Sequence, residues 1–171
     1  LMWASDNGHT EVVRLLLDTM LKLLLEKGAP VDEKDKNGSS LLMKASMGGY
    51  TKVVKLLLDK GALLDEKDEY GKTALLLASM FGHTEVVKLL LDRGALLDEK
   101  NEYGYTALMW ASDNGHTEVV RLLLDKMMKL LIEKGAPLDE KDKNGETLLM
   151  KASTALTMAS NEGHTEVVRL L

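Results

Sequence analysis

Cysteine is absent from this chain of 171 residues. Its absence removes disulfide frameworks, thiolate metal sites and cysteine nucleophiles together. Proline occurs twice, phenylalanine once, and aromatic residues total only 4%, so a core built on large rings is out of reach. No apolar run approaches the ~18 residues a membrane span needs, and no signal peptide is expected. A basic stripe is missing too. The 22 Lys and Arg are outnumbered by 27 Asp and Glu, giving a net charge of -5. Nucleic acid is therefore not the expected main partner, because phosphate contacts need clustered cations. What remains is 45% apolar and 29% charged, the composition of a soluble globular chain.

The chain also repeats itself. Gly71-Lys72-Thr73-Ala74-Leu75 returns as Gly104-Tyr105-Thr106-Ala107-Leu108. Ala45-Ser46, Ala78-Ser79 and Ala111-Ser112 keep the same step, as do Gly61-Ala62 and Gly94-Ala95. A fixed step of about 33 residues predicts a stacked array, in which each unit is too small to bury its own apolar face and is stable only against its neighbours. Within one unit, Asp68-Glu69-Tyr70-Gly71 predicts a turn, since Asp can accept from its own following backbone and Gly takes a positive φ cheaply. Thr73 sits where a cap belongs, ahead of a short helix over Ala74 to Met80. Phe81-Gly82-His83 breaks that helix. Thr84 is expected to cap a second helix over Glu85 to Arg93, with Gly94 as its stop.

On these runs, Asp68 to Ser79 and Gly82 to Ala95, the chain resembles the ankyrin repeat, and the pattern covers essentially its whole length. The resemblance implies an all-α solenoid of stacked helix-turn-helix units with β-turn loops. The family pattern Thr-Pro-Leu-His reads here as Thr73-Ala74-Leu75-Leu76, Thr106-Ala107-Leu108-Met109 and Thr147-Leu148-Leu149-Met150. The proline that pre-organises the first helical position is gone. The histidine that bonds between repeats in the family is apolar here, so packing is expected to substitute for that polar network.

Two irregularities stand out. The stretches from Ala4 to Ala45 and from Ala111 to Ala152 each exceed the regular step by eight, and the extra residues fall in the second helix. They are largely apolar: Met20, Leu21, Leu23, Leu24 and Leu25 in one copy, Met127, Met128, Leu130, Leu131 and Ile132 in the other. Two units should therefore carry second helices longer by roughly 12 Å. These residues either lie against a neighbouring repeat or form an exposed apolar patch used for self-association, with Leu21, Leu24, Met128 and Leu131 as the candidates. Further, residues 1–46 and 108–153 differ only at Thr19, Leu21, Leu25, Val31, Ser39 and Ser40 of the first copy, a higher-order period that carries Leu1 onto Leu108. After Ser153 the copy jumps: Thr154-Ala155-Leu156 matches Thr73-Ala74-Leu75, and the counterpart of Met47 to Lys72 is missing. The units expected are 1–37 (long), 38–70, 71–103, 104–144 (long), 145–153 (partial) and 154–171 (partial), in one array, with a missing segment between 153 and 154. Leu1 falls inside a first helix and Leu171 inside a second, as in a piece of a longer array.

Catalytic chemistry finds little support. His9, His83, His116 and His164 share one slot in the inter-helix loop. Neighbouring copies should lie one helix-packing distance apart, roughly 8–10 Å, which is too far to share a zinc ion at ~2 Å bonds. The acidic pairs Asp65-Glu66, Asp98-Glu99 and Asp139-Glu140 recur beside Lys67, Lys100 and Lys141, as charge balance along a solvated loop. A catalytic pair would need differentiated, partly buried environments. Asp35-Lys36-Asn37-Gly38 lacks the alternating ligands of a calcium loop. No phosphate loop or Ser-His-Asp grouping occurs. A non-enzyme with no metal or cofactor is expected.

Binding should sit on the short first helices, which line the concave face of such an array, and on the turn tips. Leu75, Ala78 and Ser79 share a core face; Leu77, Met80 and Phe81 share another. Equivalent positions include Trp3, Asp6 and Asn7, and Trp110, Asp113 and Asn114. Together with Tyr70, Tyr103 and Tyr105 from the turns, Leu77, Met80, Phe81 and Trp110 should form one concave apolar-aromatic patch edged by Lys72, Asp113 and Asn114. Aromatic anchors inside a polar rim suit a protein or peptide partner. The expected function is a non-catalytic interaction scaffold, cytoplasmic or otherwise intracellular. The alternative is an engineered or structural array whose role is geometry or self-assembly through the extended helices.

Overall fold

The computed structural model describes residues 19–20, 22–23, 27–28, 31, 33–134, 141 and 145–171. Within them the chain forms helix pairs: α1 (Leu41–Met47) with α2 (Thr51–Asp59), α3 (Ala74–Met80) with α4 (Thr84–Asp92), α5 (Ala107–Asp113) with α6 (Thr117–Lys134), and α7 (Leu148–Asn161) with α8 (Thr165–Leu170). First helices stack on first helices, from α1 through α3 and α5 to α7. Second helices stack from α2 through α4 and α6 to α8. The result is two helical layers with the turns along one edge. Among the described residues no strand forms, only one isolated bridge between Lys34 and Ser40.

Each short helix starts where a hydroxyl can satisfy an orphan amide. Thr73, Thr106 and Thr147 accept from the backbone N–H three residues on, at 3.2, 3.3 and 3.2 Å, and Ser40 does the same for Met43 at 3.3 Å. Second helices begin differently. Thr84 is the first helical residue rather than the cap; His83 takes the cap position without a side-chain bond, and Thr84 Oγ1 turns back to the Gly82 carbonyl. The cap falls one residue earlier than expected because Thr84 N already bonds the Gly82 carbonyl at 2.9 Å, closing a tight loop into the helix.

The core is the same small set in every unit. Val53, Val54 and Leu57 are followed by Val86, Val87 and Leu90, then Val119, Val120 and Leu123, all buried against Leu42, Leu75, Leu108 and the alanines Ala45, Ala78 and Ala111. Each such Val or Leu contributes about 1.5–3 kcal/mol by leaving water. Small alanines on the first helices let the layers approach. Leu76 and Met109, in the slots where the family carries histidine, are buried too.

A polar joint nevertheless links successive units. The imidazole of His83 bonds the Met47 carbonyl at 2.8 Å, His116 the Met80 carbonyl at 3.1 Å, and His164 the Asp113 carbonyl at 2.8 Å. Each ring lies on a glycine of the preceding unit. A Cβ on Gly49, Gly82 or Gly115 would stand 2.6, 2.5 or 2.7 Å from the Nδ1 of His83, His116 or His164, and all three glycines have φ near +70°. The loop histidines thus supply an inter-repeat bond that sequence reasoning assigned to packing alone.

α6 has 18 residues against nine in α2 and α4. Glycine ends the shorter helices, Gly94 with φ +93° after α4, whereas residues 117–134 contain neither glycine nor proline. Most of the corresponding stretch in the first copy, including Leu21 and Leu24, lies outside the described residues. α7 runs unbroken across Ser153 and Thr154, the position at which a missing segment is expected. Its second half docks in the array, with Ala155 and Ala159 fully buried, while Leu149 and Met150 near its start are exposed.

Candidate functional site

The turn tips are built by one side chain per unit. Asp68 Oδ1 accepts from the amides of Tyr70 and Lys72 at 3.0 and 2.8 Å. In the next unit Asn101 Oδ1 accepts from Tyr103 and Tyr105 at 3.0 and 2.9 Å. Asp35 does the same for Asn37 and Ser39, both at 3.0 Å. Consecutive tips are then tied together: Glu69 N–H donates to the Asn37 carbonyl at 3.0 Å and Glu102 N–H to the Tyr70 carbonyl at 3.1 Å. Tyr70, Tyr103 and Tyr105 therefore project from fixed backbone, which lowers the entropy lost when a partner contacts them.

On this frame Tyr103 is the most exposed, at 70%, with Phe81 at 46% and Tyr70 at 42%. Lys72 Nζ stands 5.2 Å from the Tyr70 ring centroid, within cation–π range. Tyr105 and Trp110, both half-buried, meet with centroids 4.8 Å apart and planes inclined by 42°. Asn114 is exposed and donates to the Trp110 carbonyl at 2.8 Å, and Asp113 is half-buried. Met80 packs on the core edge. Phe81 stacks on His83 at 6.3 Å. One expected member is displaced: Leu77 is only 6% exposed and belongs to the core, because the adjoining helices cover more of α3 than its own spacing suggests. Trp3, Asp6 and Asn7 lie outside the described residues. Of the assembly candidates, Met128 is exposed and Leu131 half-buried.

Charge is organised as a ladder. Lys34 reaches Glu66 at 2.8 Å and Lys67 reaches Glu99 at 2.7 Å, each across one unit boundary, and Lys100 reaches Glu146 in the following turn at 3.1 Å. Asp65 Oδ1 accepts from Leu96 N–H at 3.0 Å, and Asp59 pairs with Arg93 at 2.7 Å, again between units. The buried Lys151 pairs with Asp98. These acids serve the seams between units, a role that only their copying in step could have signalled. The titrations of Asp35 and Tyr70 are displaced. The Lys44 ammonium, with the Ser39 amide, holds the Asp35 carboxyl below its ordinary value. The Glu69 carboxylate at the Tyr70 hydroxyl pushes that phenol up.

No cluster of three or more His, Asp or Glu able to hold a metal forms among the described residues, and no described helix is long and apolar enough to cross a membrane. A cleft of about 480 Å³ runs along α2, lined by Lys22, Lys52, Lys55, Val53, Leu56, Asp59 and Thr19. It lies on the second-helix layer, apart from the aromatic tips.

Stacked helix pairs sharing one core, with hydrogen-bonded turn tips along an edge, define a solenoid repeat protein. The chain belongs to the ankyrin-repeat family: a family model described as ankyrin repeats (3 copies) matches residues 1–67, 18–101 and 64–128. No curated protein matches it. Ankyrin repeats generally mediate protein–protein interactions and are generally non-catalytic.

Proposed function

We propose that this chain is a non-catalytic interaction scaffold that holds a protein or peptide partner on its short-helix face and turn tips. The observation that carries the reading is the exposure of Tyr70, Phe81 and Tyr103 on backbone pinned by side-chain and inter-turn hydrogen bonds. A monomeric protein gains nothing in stability from a ring held in water, and rigid aromatics inside a polar rim are the residues that dominate protein interfaces. The test is affinity capture with the intact chain and with a Tyr70→Ala/Tyr103→Ala variant. The expected result is loss of the captured protein with the melting temperature within a few degrees of the parent. A large fall in melting temperature would place these rings in the packing instead.

A second reading rests on α6. Ile132 is 74% exposed and Met128 40%, on a helix end that outruns its neighbours. This supports self-association through the lengthened helix. Light scattering should then give a mass that rises with concentration and returns to the monomer value in Met128→Lys/Ile132→Lys.

A further inference from the structure

Successive units share one tyrosine at the turn tip but differ at the positions around it. Tyr70 and Tyr103 occupy equivalent positions in adjacent units, as do Lys72 and Tyr105, Leu77 and Trp110, and Met80 and Asp113. In the first of these units the turn supplies its own cation: Lys72 Nζ lies 5.2 Å from the Tyr70 centroid. In the next, the lysine slot holds Tyr105, which leans on Trp110 at 4.8 Å with the planes 42° apart. Tyr103 is left 70% exposed. The two tilted rings and the neighbouring tyrosine are the components of a site that receives a positive charge over π faces.

The local charges agree. Glu102 precedes Tyr103 and is exposed; Asp113 lies one helical turn beyond Trp110 and is half-buried. Neither carboxylate pairs with a basic side chain among the described residues, whereas Lys67 and Lys100 are engaged with Glu99 and Glu146. Both backbone arms of the tip are held by Asn101, so the site is formed before a ligand arrives.

We propose that Tyr103, Tyr105 and Trp110, flanked by Glu102 and Asp113, form a receptor for an arginine or lysine side chain borne by an extended basic segment of a protein partner. The inference rests on the scaffold reading and names the chemistry that face recognises. A guanidinium suits it best, because its planar cation can lie on one ring while its edge donates to a carboxylate.

The probe is a fluorescein-labelled octapeptide of alternating glycine and arginine, read by anisotropy. Its citrulline counterpart matches the shape without the charge. The arginine peptide should bind at least about tenfold more tightly than the citrulline peptide. Tyr105→Lys installs the residue that the preceding unit already carries in this slot. It should supply its own cation over Tyr103 and weaken the arginine peptide about tenfold or more, with the melting temperature lowered by no more than a few degrees through loss of the Tyr105–Trp110 contact. Tyr103→Ala should weaken it similarly, and Lys72→Ala should leave it unchanged or tighter. Equal binding of both peptides, or parent-like binding by both Tyr103→Ala and Tyr105→Lys, overturns the inference, since only the net acidity of the chain would then attract the probe. If the captured partner still depends on Tyr103 while the arginine peptide fails, the cation chemistry falls and the scaffold stands. If capture ignores Tyr70 and Tyr103, both fall.

Discussion

Gly82 contributes to the stability of a unit to which it does not belong. Its φ of +70° disfavours any side chain, and a Cβ would press on the His116 ring at 2.5 Å. Gly82→Ala should destabilise the chain by about 2–3 kcal/mol in urea unfolding. His116→Ala alone removes one hydrogen bond, worth about 1 kcal/mol. The double variant should lose less than the sum, because the clash disappears with the ring; strictly additive losses would mean that glycine and imidazole act independently. The buried serines behave in the opposite sense. The hydroxyls of Ser46, Ser79 and Ser112 are fully buried and have no hydrogen-bond partner among the described residues. Ser79→Ala should therefore leave stability unchanged or raise it by up to about 1 kcal/mol. Neither effect was legible in the sequence. The repeated Gly-His pair shows there as a loop breaker, and only the approach of the next loop turns it into a contact.

At the level of elements, the helix over Ala74 to Met80 and its Thr73 cap could be read from residue types, since a hydroxyl ahead of an apolar run has one good local use. Leu77 could not be placed that way. Helical spacing says which residues share a face, not how far the adjoining helices spread over it. α7 shows the same limit. Thr147 and Thr154 both precede helix-forming runs, and with no glycine or proline between Leu148 and Asn161 nothing local stops one helix from passing through both. The turn before α1 offers a titration. Asp35 is held down by Lys44 at 2.9 Å and by backbone amides. A carboxyl whose folded pKa is depressed stabilises the fold above its unfolded value, and that contribution disappears as pH falls through the folded pKa, here below 3.8. Carbon-13 NMR of the Asp35 carboxyl in Lys44→Met should show the midpoint moving back up; an unmoved midpoint would assign the shift to the amides alone.

The whole molecule has no centre. Each unit leans on two neighbours, so a defect is felt according to its place in the row. Leu90, fully buried in the middle, should cost about 2–5 kcal/mol as Leu90→Ala and abolish the cooperative transition at moderate urea. Val167→Ala, which removes the one buried side chain of the six-residue α8, should instead release α8 locally. Hydrogen exchange should then show protection lost over Thr165–Leu170 and retained in α2 and α4; uniform loss would show a single all-or-none body. The lysine ends of the ladder are partly exposed while its glutamates are largely covered, so salt screens the pairs only in part and high salt should lower the melting temperature only modestly.

The glycine–histidine seam also sets the tips free to vary. Because its parts are the same at Met47, Met80 and Asp113, the seam makes no demand on what the adjacent tip displays, and that position reads Ser39, Lys72, Tyr105 and Glu146 down the chain. Assembly and recognition are thereby written in separate alphabets. A module can be exchanged for its neighbour without disturbing the fit, and selectivity can be revised one letter at a time.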